Sequence, residues 1–449
     1  MSIPAITSKE SPVSPSNDSA HEPFGCPTPY AEPLWYSRDV SPHYTTSHRK
    51  LRAAVRKYVD EEILPYAFDW ESAGKVPDTA RAWRRHAQLG YLALITGLPD
   101  VNLPGDIKFE EWDSWHSLIV TDEISRVAYT GVLWGLGGGN EIGVPPLVNF
   151  GTEEQKAKFL PGVANGSIRF CLGITEPDAG SDVANIKTTA IKKDDHYIVN
   201  GSKKWITNAI WADYVTAAVR TGGAGAAGIS LLIIPLKAEG VSRRMMHNSG
   251  VGASGSTFIT FDDVKVPVEN LLHKENRGFE VIMSNFNAER KTLATSAIRL
   301  SRVCAEDAWK HACTRETFGK KLIENPVIRA KFVKMGRMIE PAQAFLEQLT
   351  WLIELSRKGG EDNDVRIGGM TAMLKVVSTR CLEKCVREAQ QVMGGLGYAR
   401  GGKGGRIEAI SRDVRVMAVG GGSEEILSEL AIKEETKDLR RYRSTSSKL

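Results

Sequence analysis

The sequence predicts an α+β protein in which a helical segment, a β segment and a second helical segment follow one another. Residues from about 45 to 165, and again from 276 onward, repeat apolar side chains with the 3.6-residue period of amphipathic helices. Between them, residues 168–275 contain short alternating runs rich in β-branched side chains, separated by Gly, Asn and Asp. Strands grouped between two groups of helices favour separate packed units over an alternating α/β sheet.

Length and composition set the limits of this prediction. The chain has 449 residues, which corresponds to about two to four packed units. Changes in composition and apolar period place the boundaries between them. These changes predict a disordered tail at 1–30, a helical domain at 31–167, a small β-barrel or β-sandwich at 168–275, a helical domain at 276–436 and a polar tail at 437–449.

Charge and hydropathy argue against two broad classes of function. The 58 basic and 54 acidic residues nearly cancel to a net charge of +4, so we expect no nucleic-acid partner. No run of 18 apolar residues occurs, so we expect no membrane span. The six cysteines include no CxxC pair. Cys381 and Cys385 lie four residues apart on one face of a predicted helix, which favours core packing, and we expect no metal.

The last three residues, Ser447-Lys448-Leu449, form a tripeptide that the peroxisomal import receptor reads. We therefore expect peroxisomal localisation, with that receptor as a partner. The N-terminal segment is rich in Ser and Pro, lacks arginine and has no apolar core, which is not typical of a secretory or mitochondrial leader.

Two glycine-rich segments match the G-x-G-x-x-G pattern, at 223–228 and 250–255. A dinucleotide-binding fingerprint must follow a strand and open a helix. Each of these segments precedes a predicted strand, so we interpret both as loops of the β domain.

The most specific motif is CLGITEPDAGSD at residues 171–182, which resembles the first signature of the acyl-CoA dehydrogenase family. The resemblance extends over roughly residues 45–435. Further matches follow in the family's order at 203–208, 261–272, 314–322, 391–398 and 412–426. The resemblance implies an FAD enzyme with an N-terminal helical domain, a middle β domain and a C-terminal four-helix bundle, assembled as a homotetramer.

The resemblance also implies which residues bind FAD. Those expected around the flavin ring and the nearby phosphates are Leu172, Ile174, Thr175, Gly180, Ser181, Trp205 and Thr207. Ser181 is expected to contact the substrate as well. Those expected from the C-terminal domain are Arg315, Thr317, Phe318, Gln391, Gly394, Gly395, Ser423 and Glu425. The Arg315 segment is expected to reach the FAD of a neighbouring subunit, where a planar guanidinium suits the pyrophosphate.

The position of the catalytic base departs from the commonest family pattern. The family reaction removes the α-proton of an acyl thioester while the β-hydride passes to the flavin. Aligning residues 412–426 with the usual base segment places Gly421 at the base position, and glycine cannot accept a proton. The isovaleryl-CoA and long-chain branches carry the base on a bundle helix just before an arginine, as in Glu289-Arg290. We predict Glu289 as the base, with Arg290 and Gly421 at the substrate.

Several alternatives remain open. Glu424 or Glu425 could serve as the base, or the chain could lack dehydrogenase activity. The small Gly421 frees volume, which favours a medium, long or branched acyl chain, in peroxisomal β-oxidation or specialised-metabolite biosynthesis. The electron acceptor is electron-transferring flavoprotein or oxygen, and an acyl-CoA oxidase is the main alternative enzyme. A nitroalkane oxidase-like activity needs a late Asp, which is missing at 420–423, and the short basic tail disfavours a DNA-associated flavoprotein.

Overall fold

The computed structural model describes residues 23–38, 41–359 and 366–446. Most of the predicted N-terminal tail and the terminal tripeptide lie outside these ranges. The predicted tail limit at residue 30 is corrected, because the described residues 23–30 pack against the folded chain. The Phe24 ring meets Tyr36 edge to face, with centroids 5.4 Å apart, and Arg52 stacks on Phe24 at 3.9 Å.

The N-terminal domain is helical. Its helices in the described ranges are α1 (Leu34–Arg38), α2 (Thr46–Tyr58), α3 (Leu64–Ser72), α4 (Trp83–Gln88), α5 (Ser114–Ile124), α6 (Thr130–Leu133), α7 (Gly139–Gly143), α8 (Pro145–Phe150) and α9 (Glu153–Ala164). A wide π-helical turn, Trp134–Gly138, joins α6 to α7. A Cβ at Gly135 in this turn would lie 2.7 Å from the carbonyl oxygen of Ala253, so only glycine allows this contact with the middle domain.

The middle domain is a β structure. Its strands are β1 (Phe170–Gly173), β2 (Thr189–Lys193), β3 (His196–Ile206), β4 (Tyr214–Arg220), β5 (Ile229–Pro235), β6 (Val241–Met245), β7 (Thr257–Pro267) and β8 (Leu271–Leu272). They pair in the order β6-β7-β3-β2-β4-β5-β8, and β1 pairs parallel to β4. The two glycine-rich segments lead into β5 and β7, so their interpretation as loops is confirmed.

The C-terminal domain is a bundle of long helices. Its elements are α10 (Gly278–Thr314), the hairpin strands β9 (Glu316–Thr317) and β10 (Lys320–Lys321), then α11 (Pro326–Gly359), α12 (Gly368–Met393), α13 (Gly405–Val419) and α14 (Glu424–Ser446). Buried apolar side chains of α10 to α13 form its core, which includes Cys381 and Cys385, as predicted. Helix α14 continues through most of the predicted tail, and ion pairs such as Glu429–Lys433 at 3.1 Å support it.

A buried ionic cluster fixes the N-terminal domain to the bundle. Arg299 of α10 is fully buried and donates to Glu32 Oε2 at 2.7 Å and Asp122 Oδ1 at 2.9 Å. Arg56 of α2 donates to Glu123 Oε2 at 2.6 Å and to Glu32 Oε1 at 2.9 Å. Burial alone would raise the pKa of Glu32, but Arg299 and Arg56 lower it to about 2.

No helix among the described residues combines the length and apolar character that crossing a membrane requires. In the same ranges, His48, Asp113 and His116 bring three possible metal ligands within 4.8 Å of one another. Two of these side chains already accept hydrogen bonds from backbone N–H groups at helix starts. His48 Nδ1 accepts from the Thr45 N–H at 2.9 Å, and Asp113 Oδ1 accepts from the His116 N–H at 2.9 Å. The group therefore joins the starts of α2 and α5.

Candidate active site

The segment after β1 carries the predicted flavin-ring residues and is held by a buried ion pair. Lys203 is fully buried, and its Nζ donates to the Ile174 carbonyl at 3.0 Å and to Glu176 Oε1 at 2.8 Å. Glu176 also accepts the backbone N–H of Lys187 at 2.6 Å. Burial lowers the pKa of Lys203 to about 8, with Glu176 opposing the shift. The pair therefore fixes the path of the backbone around Thr175.

A second predicted flavin segment lies beside the first. The Lys204 N–H donates to the Thr175 carbonyl at 2.9 Å, which places Trp205 and Thr207 next to the segment after β1. Trp205 has φ of +60° and is 49% exposed. A bulky side chain in the left-handed region is strained, and such strain is concentrated at functional sites.

The surroundings of these residues fit a large flat cofactor. A Cβ added at Gly180 would meet no atom within 4 Å, so there is room for a ligand against the backbone of the segment after β1. The exposed Trp205 ring, the half-buried Thr175 hydroxyl and the exposed Ser181 hydroxyl offer an aromatic surface and polar groups beside that room. These residues would hold the flavin ring of FAD and its phosphates.

Helix α7 connects the flavin segments with the helix that carries the predicted base. The Gly139 N–H donates to Asn208 Oδ1 at 2.7 Å, and Thr216 Oγ1 donates to the Gly143 carbonyl at 2.7 Å. On its other side, Asn285 Nδ2 of α10 donates to the Ile142 carbonyl at 3.0 Å. Asn285 lies one helical turn before Glu289, so α7 sets the position of the predicted base relative to the predicted flavin segments.

Glu289 lies at the position that the late family base would reach. A Cβ added at Gly421 would lie 3.7 Å from Glu289 Oε1, although 131 residues separate the two in the chain. Among the described residues, the half-buried Glu289 carboxylate has no hydrogen-bond or ion-pair partner. Burial raises its pKa, and Arg290 and Lys375 oppose this increase. An unpaired carboxylate with a raised pKa is suited to accept a proton from a carbon acid.

The loop opposite Glu289 is held by two cations. Gly421 and Gly422 have φ of +66° and +110°. Arg290 Nε donates to the Gly421 carbonyl at 3.0 Å, and Lys375 Nζ of α12 donates to the Gly422 carbonyl at 2.9 Å. Arg290 and Gly421, both predicted from the sequence to lie at the substrate, are in contact in the structure, whereas Lys375 was not predicted. The available signal was one lysine inside an otherwise apolar run of the helix.

The alternative bases lie in a different environment. Glu424 forms an ion pair with Arg380, which lowers the pKa of this carboxyl. Glu425 is exposed in the first turn of α14, where a negative charge stabilises the helix. Ser423 precedes this turn, and its carbonyl accepts the Leu427 N–H at 2.9 Å. This geometry favours a role at the helix start over one as the base.

The remaining predicted cofactor residues lie at the far end of the bundle. Arg315 follows Glu289 by 26 positions on and after α10, about 39 Å along the helix axis. Phe318, in the hairpin after it, is fully exposed. The predicted residues at the end of α12, Gln391, Gly394 and Gly395, are exposed as well. The structure therefore divides the predicted site into a group around Glu289 and a distant exposed group.

Three family models match this chain. The acyl-CoA dehydrogenase N-terminal domain matches residues 45–167, the middle domain residues 171–264 and the C-terminal domain residues 276–435. The chain therefore belongs to the acyl-CoA dehydrogenase family, whose members are FAD-dependent oxidoreductases. This confirms the resemblance and the three-domain fold predicted from the sequence.

Individual relatives cover nearly the whole chain. Acyl-CoA dehydrogenase AFT10-1 of Alternaria alternata is 52% identical and covers 94% of this chain and 99% of its own length. Acyl-CoA dehydrogenase apdG of Emericella nidulans is 43% identical, with coverage of 90% and 94%. The crystal structure of a probable acyl-CoA dehydrogenase from Mycobacterium abscessus has a TM-score of 0.78 at 33% identity, with coverage of 87% and 99%.

Replacing Lys203 by Met should weaken FAD binding at least about tenfold, because Glu176 is left buried without its cation and the backbone around Thr175 loosens. Flavin release measured by fluorescence checks this. Lys187→Met is the matched control, since Lys187 pairs with Asp178 in an exposed position beside the same segment. Equal FAD affinity in wild type and Lys203→Met would contradict the positioning role of the pair.

Proposed function

We propose that this enzyme converts an acyl-CoA thioester to the 2-enoyl-CoA, with Glu289 as the base that removes the α-proton. The observation that supports this assignment is the 3.7 Å separation between Glu289 Oε1 and a Cβ built at Gly421. A carboxylate could lie at this place if it came from position 421, in the loop after α13, or from position 289 on α10. In this sequence position 421 is glycine, and Glu289 of α10 supplies the carboxylate. The bound FAD supplies the chemistry of hydride acceptance from the β-carbon.

The residues around Glu289 suit the charge changes of proton removal. The α-proton moves to the Glu289 carboxylate, and negative charge develops on the thioester oxygen. The Gly421 N–H is proposed to donate to that oxygen, which needs preorganised donors. Arg290 holds the Gly421 carbonyl at 3.0 Å and so orients the loop. Substrate contacts at Ser181 are proposed for the pantetheine or phosphate groups.

Anaerobic titration with a panel of acyl-CoA thioesters tests the proposal. The enzyme is expected to lose its flavin absorbance at about 450 nm on reaction, because the substrate reduces the flavin. We expect medium, long or branched acyl chains to react best, because Gly421 leaves space beside the acyl group. A strict preference for butyryl-CoA would contradict the chain-length proposal. No bleaching with any thioester would contradict the activity itself.

The same preparation distinguishes a dehydrogenase from an oxidase. The proposed enzyme transfers electrons to electron-transferring flavoprotein, and reduced enzyme is expected to reoxidise slowly in air. Stoichiometric hydrogen peroxide under aerobic turnover would instead identify an oxygen-using acyl-CoA oxidase.

We propose peroxisomal localisation, with the import receptor as a partner, in β-oxidation or specialised-metabolite biosynthesis. Support comes from the sequence Ser447-Lys448-Leu449, which follows α14 directly and lies outside the described residues. Imaging of an N-terminal fluorescent fusion with and without these three residues tests it. Equal cytosolic signal for both fusions would contradict the proposal.

We also propose a homotetramer in which one subunit completes the FAD site of another. The fully exposed Phe318 and the 88% exposed Tyr398 lie at the end of the bundle far from Glu289, where a neighbouring chain can bury them. Light scattering of the FAD-loaded protein tests the assembly. A monomer that retains FAD with normal affinity would contradict the shared site.

A further inference from the structure

Lys375 is a buried cation in the middle of the bundle. It lies on α12, its side chain is fully buried, and its Nζ donates to the Ala418 carbonyl at 2.5 Å and to the Gly422 carbonyl at 2.9 Å. Ala418 belongs to the last turn of α13, and Gly422 lies in the loop that follows. One ammonium group therefore bridges the end of the helix and the loop on either side of Gly421.

The hydrogen bonds from Lys375 are important because residues 420–422 have no side chains that could fix the conformation of this loop. Gly420, Gly421 and Gly422 carry no side chains, and the last two lie in the left-handed region. Glycine loops have many accessible conformations, so their carbonyls need partners to define one. Arg290 binds the Gly421 carbonyl from α10, and Lys375 binds the flanking carbonyls from α12. Together they set the direction of the Gly421 N–H.

The same ammonium group acts electrostatically on Glu289. Burial raises the pKa of Glu289, while Arg290 and then Lys375 lower it. Burial lowers the pKa of Lys375 to about 8, with Glu289 and Glu424 opposing the shift and Arg290 adding to it. Glu424 is itself paired with Arg380 on the outer side of α12. Lys375 therefore supplies positive charge from α12 that opposes the raised pKa of Glu289.

We propose that Lys375 is a positioning residue for the dehydrogenation, which fixes the Gly421 loop through the Ala418 and Gly422 carbonyls and adds positive charge to the surroundings of Glu289. This inference rests on the proposed role of Glu289. It assigns to α12 a part in positioning the base and the Gly421 loop, whereas the predicted base and its neighbours Arg290 and Gly421 lie on α10 and in the loop.

The test compares the pH dependence of anaerobic flavin reduction in three variants of the FAD-loaded enzyme. Lys375→Met removes both the charge and the donor, and Lys375→Gln keeps a donor without the charge. Arg380→Gln is the matched control, because it removes an exposed cation five residues further along α12. Flavin content and melting temperature show that each variant is folded.

In Lys375→Met, the acidic limb of the pH–rate profile should shift to higher pH by about one unit, because Glu289 loses a neighbouring cation. The limiting rate at high pH should also fall about tenfold, because the loop is displaced. Lys375→Gln should show the same shift of the limb with a smaller loss of limiting rate. Arg380→Gln should follow wild type.

The outcomes separate this inference from the proposed function. If either Lys375 variant loads FAD and keeps the wild-type profile while Glu289→Gln is inactive, the role of Lys375 is overturned and the base assignment stands. If Glu289→Gln reduces its flavin normally, the base assignment fails, whatever Lys375 does. If Lys375→Gln lowers the limiting rate without shifting the limb, the electrostatic half of the inference is overturned.

Discussion

Glu289→Gln should bind FAD and acyl-CoA but reduce its flavin about 10²–10⁴ times more slowly than wild type, which is the usual contribution of a positioned general base. The amide has almost the shape of the carboxylate and cannot accept the α-proton. Stopped-flow absorbance under anaerobic conditions gives the rate. In wild type the rate should rise with pH through the pKa of Glu289, which burial places above its ordinary value, and Glu289→Gln should lack this limb.

Glu424→Gln and Glu425→Gln are the matched controls, because both carboxylates follow the Gly421 loop but lie in the first turn of α14. Each should retain flavin reduction. Normal reduction by Glu289→Gln, together with loss in either control, would move the base to α14.

A second arm uses the proximity of Glu289 and Gly421. Gly421→Glu in the Glu289→Gln background should recover part of the lost rate of flavin reduction. The Cβ of the new side chain would lie 3.7 Å from the position of Glu289 Oε1 in the wild type. Full recovery is not expected. A side chain at φ +66° is strained, and Leu293 Cδ1, 2.9 Å from the added Cβ, must move. No recovery in a folded, FAD-loaded double variant would contradict the convergence of the two positions.

Arg299→Leu should produce the largest loss of stability, about 3–5 kcal/mol in the free energy of unfolding. The substitution leaves Glu32 and Asp122 buried without the guanidinium that binds both. Asp122 must then remain charged without a cation or take up a proton, and Glu32 keeps only its ion pair with Arg56. Urea unfolding followed by tryptophan fluorescence measures the difference, and detachment of the N-terminal domain should come first.

Arg415→Leu is the control for this prediction. Arg415 pairs with Glu383 at 2.8 Å, but its side chain is 69% exposed, so its loss should cost less than about 1 kcal/mol. Equal destabilisation by the two substitutions would contradict the argument that burial makes the Arg299 cluster important.

The sequence by itself determined the order of the domains. Apolar side chains repeated every 3.6 residues give helices, and alternating β-branched runs give strands, because these periods follow from backbone geometry. The motif at 171–182 and its successors identified the family, and the missing late glutamate directed attention to Glu289. Each of these signals lies within a short stretch of the chain, so it can be recognised in the sequence without the structure.

Only the tertiary structure decided which distant groups meet. The approach of Glu289 to Gly421 depends on how α10 packs against the loop after α13, and the anchoring of that loop by Lys375 depends on α12. The packing of residues 23–30 against the folded chain and the continuation of α14 to Ser446 also depended on contacts rather than on composition. Periodicity reports which face of an element is buried but carries no information about its partner, and the charge state of a buried group depends on that partner.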